Sequence, residues 1–284
     1  MRRLLAIVLL ACTALPGFAQ TADTGVARGV RPDAAAEGGG EVRRLVVGSD
    51  VKIGETIATD ARGLVQLLFA DRTELVIGPR SRLVIEDYLV RNNGSAGKFA
   101  INALSGTFRF VSGQARRDRY DITTPSGSIA IRGTAFDFTV TSPGPAFVPG
   151  SNRVTTSVLL FDGAVRLCNN AGQCVILDEI CDFGTYNATG SLTWGNDAET
   201  RAGFRPFFPH ALDQSPLLAA FRVANARQCI SPPPTTAGEV IGRGEDNGNN
   251  NSGRGSNTGT PGNTGTPGSS TTPGGNFNDS TLIP

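Results

Sequence analysis

TTPSGSIAIRGTAFDF (123–138) changes step in its middle. Ile129 and Ile131 fall on one parity, whereas Phe136, Phe138 and Val140 fall on the other. Side chains of a strand alternate faces with period two, so an unbroken strand would send the two sets to opposite sides of the sheet. Arg132-Gly133-Thr134 lies between them. A β-bulge removes the conflict, because one extra residue lets two positions oppose one on the neighbouring strand and shifts the facing pattern by one. Glycine suits that position, since it enters positive φ without a Cβ clash. The expectation is a single core lined by both isoleucines, both phenylalanines and Val140. Upstream, Thr124-Pro125-Ser126-Gly127 reads as a turn in which proline presets φ. Arg132 would sit on the bulge and either satisfy carbonyls freed by the broken ladder or contact an anion.

Working outward, residues 41–195 are a succession of short apolar runs separated by turn residues. LVQLLFADRTELVIG (64–78) reads as two strands about Asp71-Arg72. KFAINALSGTFRFVSG (98–113) reads as two more, broken near Ser105-Gly106. VLLFDGAVRLC (158–168) carries Asp162-Gly163, the strongest short hairpin signal in the chain. CNNAGQC (168–174) is a second tight return. Strands of this length and spacing argue an all-β sandwich or barrel.

The ends read differently. Met1-Arg2-Arg3, the apolar run Leu4 to Leu15 and the small residues Gly17 and Ala19 form a secretory signal over 1–19, cut near Ala19. A lipoprotein cut before Cys12 is the weaker alternative, because Leu10 stands where a smaller residue is usual. The run is shorter than the roughly 20 residues a membrane span needs, and no later segment carries one. The expected location is the periplasm or the exterior. Loss of Arg2 and Arg3 takes the formal net charge from +1 to −1. Such a chain exerts no global pull on nucleic acid or on an anionic membrane. Residues 20–40 read as a flexible leader. Ser215-Pro216 followed by Leu217, Leu218, Phe221 and Ala224 predicts an amphipathic helix over 215–229 within a C-terminal extension, 196–230. Residues 231–284 are rich in Gly, Asn, Ser, Thr and Pro and are expected to be disordered.

Cys168, Cys174, Cys181 and Cys229 remain after the signal. In an exported chain they favour two disulfides, for which three pairings exist. Cys181–Cys229 would pin the helix to the sandwich and Cys168–Cys174 would close the small hairpin. A zinc site fits poorly, with no CxxC and His210 as the sole histidine.

The stretch 123–138 resembles the TP-x-G…RGT-x-F signature of FecR-domain proteins, carried here by Thr124, Pro125, Gly127, Arg132, Gly133, Thr134 and Phe136. VGSDVKIGETIAT (47–59), GLVQLLFADRTELVIGPRSRLVI (63–85), LSGTFRF (104–110) and LLFDGAVRL (159–167) resemble other segments of the family in the same order. The resemblance implies a compact jelly-roll-like β-sandwich in the periplasm. The best-known members relay a signal from a loaded outer-membrane transporter to a sigma factor. This chain departs from that plan: it shows no sigma-binding segment, no internal span and no transporter-contact domain. Asp71-Arg72-Thr73 also replaces the family's Asp-Gly-Ser turn, and the cysteines are an addition.

Catalytic chemistry needs convergent reactive groups. His210 lies outside the sandwich, no serine sits in a G-x-S-x-G elbow, and Glu74, Glu86 and Asp87 read as solvated charges at strand ends. No cofactor or metal is expected. The expected function is a non-catalytic module that contacts another cell-envelope protein, with Arg116, Arg117 and Arg119 offering hydrogen-bond forks to a partner's carboxylates. The alternative is an envelope polymer, peptidoglycan or polysaccharide, stacked on Trp194, Tyr88, Tyr120 or Tyr186.

Overall fold

A computed structural model describes residues 25–90, 96–113, 120–144, 153–190, 192–195 and 202–230. The signal 1–19, the tail 231–284 and the arginines 116, 117 and 119 lie outside the described residues. The described chain is an all-β sandwich: fifteen strands form one continuous sheet that folds over as two layers. The first layer runs β4 (Asp50–Val51), β1 (Gly25–Arg31), β6 (Leu64–Phe69), β7 (Glu74–Ile77), then one half each of β9 (Ala96–Val111), β11 (Gly127–Thr141) and β12 (Thr155–Asn169), then β14 (Phe183–Asn187) and β15 (Leu192–Gly195). The second runs β3 (Glu41–Arg44), β2 (Ala34–Gly38), β5 (Thr56–Thr59), β8 (Arg82–Val90), the other half of β9, β10 (Tyr120–Thr124), the other halves of β11 and β12, and β13 (Cys174–Leu177). β10 is parallel to β9; the other pairings are antiparallel.

Three strands thus belong to both layers, and each turns the corner at a glycine in left-handed backbone: Gly106 (φ 114°), Gly133 (φ 63°) and Gly163 (φ 78°). Each also changes parity there. Phe99, Ile101 and Ala103 of β9 line the same core as Phe108 and Phe110. Ile129 and Ile131 of β11 line it with Phe136, Phe138 and Val140, and Val165 and Leu167 of β12 line it with Val158 and Leu160. Strands that switch layers through bulges are the ordinary way to make such corners. The layers meet through aromatic rings, with Phe69 and Phe99 centroids 4.8 Å apart and Phe99 and Phe110 5.7 Å apart.

The bulge of β11 has a partner. Arg132 pairs with Ala164, Ala135 with Asp162 and Phe136 with Leu160, so the register slips twice and returns to its starting offset. Both strands kink together. A Cβ on Gly163 would stand 2.0 Å from the carbonyl oxygen of Gly133. Asp162-Gly163 is therefore a corner inside one continuous strand, where a hairpin turn was expected, and Ser105-Gly106 likewise bends β9 without ending it. Asp-Gly favours positive φ in either setting, and the pairing with β11 decides between them. The groups freed at the bulge are satisfied by Ser112: its N–H donates to Thr134 O at 2.9 Å, and its Oγ accepts from the Thr134 N–H at 2.8 Å. Arg132, expected to cap those carbonyls, points to solvent.

Two further expectations are corrected. Residues 25–38 are strands β1 and β2, not a flexible leader: Ala27, Ala34 and Ala36 are buried, and β1 pairs along β6. Helix 215–229 is absent. The segment holds a 3₁₀ turn, Ala219–Phe221, and a short helix after it, Ala226–Ile230. Its backbone is bonded sideways to side chains: Leu218 N–H donates to Gln66 Oε1 at 2.7 Å and Val223 N–H to Gln214 Oε1 at 2.8 Å. A further short helix, Pro209–Leu212, precedes it. In chain order these helices are α1 (Pro209–Leu212) and α2 (Ala226–Ile230).

Candidate functional site

The residues proposed for chemistry are scattered. Glu74 is half-buried, and burial raises its carboxyl pKa. Glu86 is exposed, and Asp87 pairs with Lys98 at 3.0 Å. His210, on α1, is buried against Gly78, where a Cβ would stand 2.6 Å from its Nε2. Burial pushes its imidazole pKa down to about 4, so the ring is neutral near pH 7. Its Nε2 has no hydrogen-bond partner among the described residues, hence no nucleophile is bonded to it there. No group of three or more His, Cys, Asp or Glu among the described residues could hold a metal ion.

The outer face of the first layer is closed, with a buried ion pair set among apolar side chains. Arg109 of β9 and Asp137 of β11 form a fully buried fork, Nε to Oδ1 at 2.6 Å and Nη2 to Oδ2 at 2.9 Å. The guanidinium also donates from Nη1 to Gln214 Oε1 and lies 5.3 Å from the centroid of Phe161. Breaking such a buried pair leaves an uncompensated charge, so the segment above it is held by polar as well as apolar contacts. Phe204 stacks on Phe183 at 3.7 Å, Leu217 and Phe221 pack on Leu64 and Val76, and Cys181 is bonded to Cys229. Residues 202–230 thus form a cover over this face.

The outer face of the second layer has no such cover among the described residues. Arg132 of β11 and Arg166 of β12 project from it two positions apart on adjoining strands, since Arg132 pairs with Ala164 and Ala130 with Arg166. Both are exposed and make no side-chain hydrogen bond or ion pair among the described residues. Arg166 stands opposite Ile176 of β13, which is 54% exposed. Toward β8, Asp121 is exposed on β10, whereas Asp87 on β8 is half-buried and already paired with Lys98. Leu89 (56% exposed) and Leu104 (37%) add apolar points. Sequence reasoning passed over Arg166, Leu89, Leu104 and Ile176. The signal available was an apolar or charged residue on the off-core parity of a strand, readable only once each parity switch is placed.

The other proposed residues divide between turn and core. Thr124 Oγ1 donates to Gly127 O at 3.2 Å and accepts from Thr156 Oγ1 at 2.9 Å. Asn170 Nδ2 donates to Pro125 O at 3.0 Å, and a Cβ on Gly127 would stand 2.0 Å from Cys168 O. These residues weld the β10–β11 turn onto the end of β12. Thr134 and Phe136 are buried. The tyrosines are not stacking platforms. Tyr88 and Tyr120 are buried and donate to the carboxylate of buried Asp71 at 3.2 and 2.9 Å. Burial pushes the Tyr186 phenol up to about 12. Trp194 lies on β15 opposite Gly184, and its side chain is outside the described residues. The structure joins Cys168 to Cys174 and Cys181 to Cys229. Disulfides of this kind accompany an extracytoplasmic setting. No helix among the described residues is long and apolar enough to cross a membrane.

Two crystal structures of a protein described as a candidate anti-sigma factor, from Parabacteroides distasonis, are similar to the chain. One is 12% identical with a TM-score of 0.39, covering 51% of this chain and 63% of that one. The other is 11% identical with a TM-score of 0.37, covering 51% and 62%. The chain thus spans less than two thirds of those structures. No curated protein matches it. A family model described as FecR protein matches residues 55–166, from the residue before β5 to Arg166 in β12, and so takes in all three glycine corners while leaving the cover outside. Residues 55–166 of this chain are accordingly a FecR domain.

Proposed function

We propose that the protein is an exported, non-catalytic module, periplasmic after cleavage near Ala19, which binds another cell-envelope protein through the open face of its second layer. The observation that carries this reading is the contrast between the two faces. One is closed by the chain itself, whereas the other leaves Arg132 and Arg166 exposed beside Ile176. Two neighbouring guanidinium groups with no counter-ion among the described residues repel each other. They are well suited to fork onto a partner's carboxylates, with Ile176 as an apolar point beside them. The FecR domain supports a signalling or regulatory role in the envelope. The arginines at 116, 117 and 119 belong to the segment joining β9 to β10, and they remain candidates for the same partner.

The test is a cross-linking pull-down from envelope extract with the wild type and with Arg132→Glu/Arg166→Glu. The expected result is one dominant protein, captured by the wild type and lost from the variant. Equal capture by both would remove the open face from the interaction. The polymer reading is weakened by the burial of Tyr88, Tyr120 and Tyr186. Co-sedimentation with purified sacculi would restore it.

A further inference from the structure

The two disulfides stand in opposite surroundings. Cys181 is 6% exposed and Cys229 is wholly buried, within the apolar cluster between sheet and cover. Cys168 and Cys174 instead face each other across the β12–β13 pair at the rim of the open face, with Cys174 exposed and Cys168 half-buried. Their hairpin does not depend on them. Asn169 Oδ1 accepts from the N–H groups of Ala171 and Gln173, each at 3.0 Å. Asn169 N–H donates to Gln173 O at 2.9 Å, and Asn170 N–H donates to Ser126 O at 3.1 Å. The sequence separation closed by this disulfide is 6, against 48 for the other. In the chain-entropy model the shorter cross-link removes about half as much freedom from the unfolded chain as the longer one. The pair is therefore accessible to a thiolate, and its hairpin carries backbone and Asn169 hydrogen bonds besides the cross-link.

We propose that Cys168–Cys174 is a thiol–disulfide exchange site, opened in the folded protein by a dithiol reductant while Cys181–Cys229 stays closed. The reductant's thiolate attacks Cys174 Sγ, forms a mixed disulfide and expels the Cys168 thiolate, which takes up a proton. The second thiol of the reductant then attacks its own sulfur in the mixed bond, closes the reductant's disulfide and releases the Cys174 thiolate, which is protonated in turn. Two electrons and two protons pass from the dithiol to the cysteine pair. Arg166, two residues before Cys168 on the same face, favours the departing thiolate by its charge. Exposed disulfides are the readily reduced ones and buried structural ones resist. This site stands on its own surroundings, whatever the open face binds.

The folded full chain would be incubated with graded dithiothreitol, quenched with an alkylating agent and mapped by peptide mass. Cys168 and Cys174 should become labelled at a reductant concentration at least about tenfold below that which labels Cys181 and Cys229, with far-ultraviolet circular dichroism unchanged. Joint opening of all four cysteines, or resistance of the pair until the protein unfolds, would overturn the proposal. Cys168→Ser/Cys174→Ser should fold and melt within a few degrees of the wild type; failure to fold would show that the cross-link is structural and would overturn it as well.

Discussion

Gly133 and Gly163 face each other at one corner, yet they are not equivalent. Both have left-handed φ, but nothing lies within 4 Å of a Cβ built on Gly133, whereas one built on Gly163 meets the Gly133 carbonyl at 2.0 Å. Gly133→Ala should therefore cost only the backbone term, about 1–2 kcal/mol. Gly163→Ala adds displacement of the opposing strand and should cost about 2–4 kcal/mol. Urea unfolding of the two variants measures the order directly, and a Gly133→Ala that is the worse of the two would contradict the paired-corner geometry. Arg72 is the converse case. It holds φ 69° at the tip of the β6–β7 hairpin, in a position that suits glycine, and the buried Asp71 beside it accepts from Thr73 N–H at 3.1 Å and so braces the turn.

At the scale of elements, the cover is tied to the sheet by a titratable group. Burial depresses the His210 pKa to about 4 from the ordinary 6.5; Arg109 lowers it further and Asp137 partly offsets this. A depressed folded value means that the unfolded chain takes up the proton first as pH falls. The stability held by neutral His210 is thus complete above about pH 6.5 and drains away as pH falls toward 4, by about 3 kcal/mol in all. His210→Gln should lose that part of the pH dependence: wild type and variant should run parallel above pH 7 and converge toward pH 4. Equal slopes over that window in denaturant titrations would show that the ring is not buried as described.

Which elements could be read beforehand follows from how local their causes are. β6, β7 and the β11 switch were legible because apolar parity and glycine lie within a few residues of each other. The corners of β9 and β12 carry the same glycine chemistry, but whether such a glycine ends a strand or bends it depends on a distant partner. β1 and β2 escaped notice because their core positions, Ala27, Ala34 and Ala36, are small and give a faint alternation. The supposed helix 215–229 has its apolar spacing from Leu217 and Phe221, both buried; its backbone, however, is claimed by Gln66 and by the Gln214 side chain, which no local pattern reveals. For the candidate site, compartment and cysteine count pointed to two disulfides; the pairing found is the expected one, although the helix that was to bring Cys229 to Cys181 is absent. The adjacency of Arg132 and Arg166 needed the β11–β12 register.

For the molecule as a whole, the question is whether the sandwich needs its cover. The main core, which runs from Ala27 to Tyr186, draws no residue from 202–230; the cover packs in two separate clusters on the other side of the first layer. The covered face is built around Arg109 and Asp137, which already satisfy each other and could remain paired when wetted. Sandwich and cover should therefore be separable. Cys181→Ser/Cys229→Ser removes a cross-link spanning a sequence separation of 48, worth about 4 kcal/mol in the chain-entropy model. The expected consequence is local. Limited proteolysis should cut the variant within 202–230 while a fragment retaining residues 25–187 stays resistant, and binding of a hydrophobic dye should rise as Phe183 and Phe161 are uncovered. If instead protease digests the sandwich and the cover at one rate, the cover is an integral third layer, and the FecR domain of this chain does not stand without it.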